Sequence, residues 1–229
     1  MNVVALMPVK GFRNAKQRLG ALLDQAGREL LAETMFRDVL RQVRLARGLA
    51  GTFVVTGDDQ VAAIAASAGT EVIREAEEKG ETAAIDFARG ELKKAGCEAV
   101  LIVPGDLPLV RAADVERVLS QVPLDAAAPF ALLVPSHDRL GTNALLLAPA
   151  DLLKLRFGYD SFHFHLSQVR SLGLPERVVE DERIALDIDE PEDLRRFLAY
   201  DHEDGESTRV ANQLLGEQDA RRIRSAGVT

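Results

Sequence analysis

Apolar runs of strand length alternate with segments of helical period along most of this chain, and that alternation limits the fold more than any other feature. Residues 3–7, 52–56, 71–73, 99–103, 131–135, 143–147 and 177–179 read as strands. Residues 28–47 carry Leu30, Leu31, Met35, Val39, Leu40 and Val43 at mixed three- and four-residue spacing, which predicts an amphipathic helix. Further helices are predicted over 59–68, with Gly57-Asp58-Asp59 as its cap, over 82–95, from Ala112 to before Pro123, and over 161–172 and 190–200. Continuous apolar strands in repeated strand–helix order mean an α/β fold, a mostly parallel sheet sandwiched by helices. In such sheets ligands bind beyond the carboxyl ends of the strands. The residues just after each strand are therefore the informative ones.

One domain is expected over residues 1–200, with no internal repeat and no low-complexity linker. From residue 201 the composition turns polar, while Val210, Leu214 and Leu215 offer some helical period, enough for a short terminal helix. Residues 201–229 are thus expected as a polar tail, partly helical or disordered. The chain has 36 acidic against 28 basic residues, a net charge of -8, which argues against a protein that coats nucleic acid. It has no Trp and only 5% aromatics, too few for a base-stacking platform. No apolar run approaches the ~20 residues of a membrane span, and the N-terminus lacks the basic start of a signal peptide. With a single cysteine, Cys97, expected as inert packing, no intrachain disulfide can form, and a cytoplasmic protein is expected. The segment Pro129-Phe130-Ala131-Leu132 is expected to be exposed and could serve a dimer.

Three post-strand segments could carry chemistry. After the first strand, Lys10, Arg13, Lys16 and Arg18 place four cations in nine residues. Such a loop suits a polyphosphate, which needs several short contacts, or it is merely a solvated basic loop. It lacks the glycines of a Walker or dinucleotide-binding fingerprint. After the fourth strand, Asp106 emerges between Pro104-Gly105 and Pro108. It is a ligand for Mg2+ in a phosphate-handling site, or a turn or cap residue. Near the end, Asp187 and Asp189 share one face of an extended segment, and Asp189 is a second ligand or the cap of the helix opened by Pro191. Farther back, Gly158 and Ser161 precede a helix whose free N–H groups and serine hydroxyl make an anion seat. Of His163 and His165, two apart on different helix faces, one is an anion contact and the other a surface residue.

Read together, Pro8-Val9-Lys10, Lys16-x-Arg18-Leu19, Gly105-Asp106-Leu107-Pro108, Thr142-Asn143-Ala144-Leu145, Phe157-Gly158-x-x-Ser161-Phe162-x-x-His165 and Leu186-Asp187-Ile188-Asp189-x-Pro191 are similar to one family, in order from residue 1 to 199. It is the 2-phospho-L-lactate guanylyltransferase family, with the phosphoenolpyruvate guanylyltransferases, of coenzyme F420 biosynthesis. The resemblance implies the Rossmann-like, GT-A-like fold of nucleotide-diphospho-sugar transferases and an Mg2+-dependent enzyme. It implies that Asp106 and Asp189, with Asp187 beside them, hold Mg2+. Pro8, Val9, Lys10, Lys16 and Arg18 would meet the GTP phosphates, with Gly80, Thr82 and Ala83 against the guanine. Thr142, Gly158, Ser161 and His165 would hold the phosphorylated acid. Two positions depart from the family pattern: Glu81 follows Gly80 where an uncharged residue is usual, and Glu190 stands where Thr is common.

The implied reaction joins GMP from GTP to the phosphate of 2-phospho-L-lactate, phosphoenolpyruvate or 3-phosphoglycerate and frees pyrophosphate, with hand-off of the product to the next transferase. Lys16, Arg18 and Asp106 would be the catalytic residues. A cytidylyl- or sugar-nucleotidyltransferase, a glycosyltransferase using Asp187 and Asp189, and a catalytically silent nucleotide-binding protein are the alternatives. Mg2+-dependent pyrophosphate release with GTP and a phospho-acid separates the last of these from the first reading.

Overall fold

The structure, a computed structural model of the chain, describes residues 1–77, 79–122, 128–200 and 205–226, with side chains in the last helix through residue 217. Seven strands are present among them: β1 (Val3–Pro8), β2 (Leu49–Thr56), β3 (Glu71–Arg74), β4 (Ala99–Ile102), β5 (Phe130–Pro135), β6 (Thr142–Ala148) and β7 (Arg177–Val178). The helices are α1 (Gln25–Leu45), α2 (Asp59–Ser67), α3 (Glu81–Lys94), α4 (Ala112–Ser120), α5 (Ser161–Ser171), α6 (Pro191–Ala199) and α7 (Glu206–Ala226). Each predicted element is found with its ends moved by a few residues, and Asp58 caps α2 by accepting from Val61 N at 2.9 Å. Pro123, expected just past the end of α4, lies outside the described residues.

The strands form one sheet in the order β3-β2-β1-β4-β6-β5-β7. Alternate residues of each strand face opposite sides, and two cores result. Val3, Ala5 and Met7 of β1 pack with Phe36, Val39, Ile64 and Val115 under α1, α2 and α4. Val4 and Leu6 pack with Ile85, Leu92, Phe162 and Val169 under α3 and α5. All neighbouring strands run parallel except β6, which is antiparallel to both β4 and β5. Its direction matters for function. Because Leu145 pairs with Ile102, the start of β6 projects past the carboxyl end of β4. Thr142 and Asn143 thereby join the rim where the loops after β1 and β4 converge.

Two expectations need correction here. Phe130, Ala131 and Leu132 are at most 2% exposed, because β5 is an internal strand flanked by β6 and β7, so of this segment Pro129 alone is exposed. Residues 206–217, expected as part of a polar tail, belong to α7, which packs on α1. Val210 and Ala211 are buried there, and Ser207 donates to Asp38 Oδ2 through its N–H and hydroxyl at 2.8 and 2.7 Å. The helix was inconspicuous because its apolar face is narrow. Together with Leu19, Leu186, Ile188 and Leu194, Ala211 fills a third core directly under the cationic turn and the Asp187–Asp189 segment. Among the described residues no helix is long and apolar enough to cross a membrane.

Candidate active site

The loop leaving β1 reaches its position by close approach. A Cβ on Gly11 would lie 2.5 Å from Asp58 Oδ2, so the glycine lets the chain pass the cap of α2 without displacing it. Two short 3-10 turns follow, over Phe12–Asn14 and Gln17–Ala21. Between them Lys16 takes a left-handed conformation (φ 53°), a costly state for a side chain with a Cβ. That turn sends its ammonium inward. Nζ donates to Asp106 Oδ2 at 2.6 Å and to Asp189 Oδ1 at 2.9 Å.

These bonds bring together two carboxylates that are 83 residues apart, as their numbers show. Their spacing is set by the main chain: Ile188 N donates to the carbonyl of Asp106 at 3.3 Å. The segment carrying Asp187 and Asp189 is held from behind as well. Asn143 Nδ2 donates to Ile184 O and Asp187 Oδ1, both at 3.0 Å. Arg183 donates to the fully buried Asp114, and Asp181 accepts from Arg183 N and Ile184 N. Asp193, not Asp189, serves the start of α6, accepting from the N–H groups of Asp189 and Glu190 at 3.1 and 2.8 Å. The carboxylate of Asp189 is thereby left free to face Lys16.

The charges reinforce one another. Burial works against the ammonium of Lys16, but Asp106 and Asp189 outweigh it and hold the group protonated well above the usual lysine range. Burial also pushes the Asp189 carboxyl up, and the charge and hydrogen bond of Lys16 overcome this and hold it below its ordinary value. Asp187 is pushed upward by burial and by the charge of Asp106. Glu81 is raised to about 7, chiefly by burial and then by Asp106.

Two chambers meet at this cluster. The first, about 450 Å³, is lined by the β1 loop, including Pro8, Val9, Lys10, Arg13 and Lys16. The second, about 620 Å³, is lined by Thr142, Asn143, Gly158, Ser161, Asp187 and Arg196, among others. Glu81, Pro104, Asp106 and Asp189 belong to both walls. Gly158 has φ 101°, the conformation that turns the chain into the αL residue Asp160 and then α5.

The structure thus brings Pro8, Val9, Lys10, Lys16, Asp106 and Asp189 to one chamber, and Thr142, Gly158, Ser161, Asp187 and Asp189 to the other. Other expected positions differ. Arg18 lines the second chamber rather than the first and reaches Glu190 at 3.3 Å, because the 3-10 turn after Lys16 points it away. Gly80, Thr82 and Ala83 do not line the first chamber; Glu81 and Ala84 do. The hydroxyl of Thr82 instead accepts from Phe157 N at 2.9 Å. His165, expected as a direct anion contact, is fully buried with both ring nitrogens engaged, to Thr142 Oγ1 and Arg156 N. His163 is the exposed one and sits beside Asp160. At the start of α5, two N–H groups of the expected anion seat are spent on Gly158 O and Leu140 O. Sequence reasoning gave no role to Asn143, Pro104 or Arg196. Asn143 could have been found from its place at the start of a strand beside a suspected acidic pair.

The residues present suit Mg2+. Asp106 Oδ1 is buried and has no hydrogen-bond partner among the described residues, and the donors around it are hard carboxylate oxygens. The ammonium of Lys16 stands between the two carboxylates as a cation already. No group of three or more His, Cys, Asp or Glu side chains forms a metal cluster among the described residues. Mg2+ typically takes one or two carboxylates and draws its other ligands from water and substrate phosphates.

A family model described as "Guanylyl transferase CofC like" matches residues 3–215. A phosphoenolpyruvate guanylyltransferase of Rubrobacter xylanophilus is 41% identical over 87% of this chain and 95% of its own. A 2-phospho-L-lactate guanylyltransferase of Methanothermobacter thermautotrophicus is 32% identical over 93% and 90%. A 3-phospho-D-glycerate guanylyltransferase of Phenylobacterium zucineum is 36% identical over 82% and 86%. Among solved structures, a protein put forward as a nucleotide-diphospho-sugar transferase, from Desulfovibrio desulfuricans, superimposes with a TM-score of 0.74 over 96% of each chain at 18% identity, which speaks for the fold alone. The matched span takes in every residue that lines the two chambers, from Pro8 to Arg196, and the chain belongs to the CofC-like guanylyl transferase family.

Proposed function

We propose that the chain transfers GMP from GTP to the phosphate of a small phosphorylated carboxylic acid and releases pyrophosphate, in coenzyme F420 biosynthesis. The acceptor is phosphoenolpyruvate, 2-phospho-L-lactate or 3-phosphoglycerate, the acids for which the relatives are named. The observation that carries this reading is the edge shared by the two chambers, where Asp106 and Asp189 face both. A cationic loop lies on one side and a hydroxyl-lined chamber on the other, so two anions are received separately and meet at one place.

A phosphate oxygen of the acceptor attacks the α-phosphorus of GTP. A new P–O bond forms, the bond from the α-phosphorus to the bridging oxygen breaks, and pyrophosphate leaves with that electron pair. The attacking oxygen is already anionic, so no general base is required. What the protein must supply is proximity and charge balance. Asp106 and Asp189 would hold Mg2+, which when bound offsets the charge of the phosphates. Lys16 keeps these two carboxylates together and presents a permanent positive charge at the shared edge. Lys10 and Arg13 line the nucleotide side, where the triphosphate is received. On the acceptor side, Thr142 and Ser161 supply hydroxyls, and Arg18 and Arg196 supply cations.

The test is pyrophosphate release with GTP, Mg2+ and each acid in turn. Release with at least one acid, none without an acid, and loss on chelation are expected. Equal turnover with CTP, or no release with any of the three acids, would overturn the reading.

A further inference from the structure

His165 lies behind the acceptor chamber, where direct contact with a ligand is closed to it, and its hydrogen bonds define a direction. The backbone N–H of Arg156 donates to Nε2 at 3.1 Å, so that nitrogen carries no proton. Burial, with the charges of Arg156 and Arg89 nearby, lowers the ring to about 4, so it is neutral at pH 7. The one ring proton is therefore on Nδ1, and the 3.0 Å contact runs from ring to Thr142 Oγ1. Ser161 Oγ donates to the same oxygen at 3.4 Å. A hydroxyl accepts at two sites and donates one proton. The ring fills one accepting site of Thr142 and leaves the hydroxyl proton for an acceptor other than the ring, and the residue lines the second chamber.

We propose that His165 is a positioning residue that locks the Thr142 hydroxyl as a hydrogen-bond donor into the acceptor chamber. The ligand group met there is an accepting oxygen, of a carboxylate or a phosphoryl group. This rests on the acceptor reading above, and it adds what sets the polarity of the seat. Phe157 and Phe164 pack edge-on against the ring at 5.1 and 5.8 Å and keep it in that orientation.

Two measurements test it. The first is the tautomer of His165 in wild-type protein labelled with 15N histidine, read by long-range 1H–15N correlation at pH 7. A protonated Nδ1 with a bare Nε2 supports the inference; a protonated Nε2 or an imidazolium overturns it. The second compares His165→Phe, which keeps a ring in the Phe157 packing, with His165→Asn, whose amide offers an N–H near the Nδ1 position. The Phe variant should raise the KM for the acid about tenfold, the size expected for one hydrogen bond to a charged group, and leave the KM for GTP within about twofold. The Asn variant should recover most of the loss. Equal rises in both KM values, or an Asn variant no better than Phe, overturn the inference. If wild-type protein releases no pyrophosphate with any acid, the transfer reading fails, and the tautomer measurement alone decides this one.

Discussion

Replacing Lys16 by Met removes the one positive charge that joins Asp106 to Asp189 while keeping most of the side-chain volume. Its stability effect follows from the two bonds. The Asp106 carboxylate is 28% exposed, so its bond is worth about 1.5–3 kcal/mol, as for charge-assisted bonds in general. Asp189 is 50% exposed, and its bond is closer to a surface pair, ~0.5–1 kcal/mol. Together the loss is about 3 kcal/mol, or roughly 6–12 °C in Tm for a chain of this size. The pH dependence has a fixed sign. Asp189 has a lowered pKa when folded, so its contribution is present above the unfolded aspartate value near ~3.9 and fades as pH falls through the folded value. Lys16 has a raised pKa, so its contribution is complete below the unfolded value near ~10.4 and is lost only above that. The gap between wild type and variant should therefore be flat from about pH 5 to 10 and shrink in acid. Differential scanning fluorimetry at pH 3, 5, 7 and 9 measures it. A second arm adds millimolar Mg2+, which should stabilise the variant more than the wild type. A variant within 2 °C of wild type at pH 7 (on the order of 1 kcal/mol), or a gap unchanged at pH 3, would refute the reasoning.

Asp106→Asn should lower pyrophosphate release by about 10²-fold or more, with an unchanged far-UV circular dichroism spectrum, since the Oδ1 it replaces serves no hydrogen bond in the fold. Glu81→Gln tests a charge of the opposite sign: a carboxyl raised to about 7 favours the fold below its unfolded value near ~4.3, and loses that contribution as pH rises to 7. In metal-free protein this variant should match wild type at pH 4 and have the higher Tm at pH 8. Gly11→Ala would place a methyl 2.5 Å from Asp58 Oδ2, so the loop or the cap must move. We expect a loss of about 1 kcal/mol in urea denaturation and a raised KM for GTP. Ala211→Glu puts a charge at a position with no exposure in the third core and should cost several kcal/mol by the same measurement, with a fall in turnover because Leu19 and Ile188 share that core.

The sheet was readable because its central strands are covered on both faces and so carry unbroken apolar runs such as 99–103. Strand direction was not readable. An apolar run is the same in either sense, and only packing made β6 antiparallel. The loops after β1 and β4 and the Asp187–Asp189 segment were found because acids and cations stand out against apolar strands. What joins them was hidden: a backbone bond from Ile188 to Asp106, and a left-handed Lys16 whose side-chain direction no spacing rule gives. His165 was misjudged for a related reason. Histidine after an anion-seat motif looks like a contact, and only the placement of Arg156 N shows that both nitrogens are engaged. The last helix was expected as a short element of a polar tail, and its length and docking escaped notice because few of its residues are apolar and its partners on α1 and near Ile188 are far away in sequence.

The hydrogen bond from Ile188 to the carbonyl of Asp106 involves no side chain, so drift at neighbouring positions leaves the distance between the two acids alone. Other residues of the second chamber, such as Leu140 and Tyr159, lie outside that bond. On the function proposed above, substitutions at such positions alter which small acid is accepted while the spacing of Asp106 and Asp189 is kept. A lineage whose members bear the names of three different phospho-acids is what such a division of labour produces.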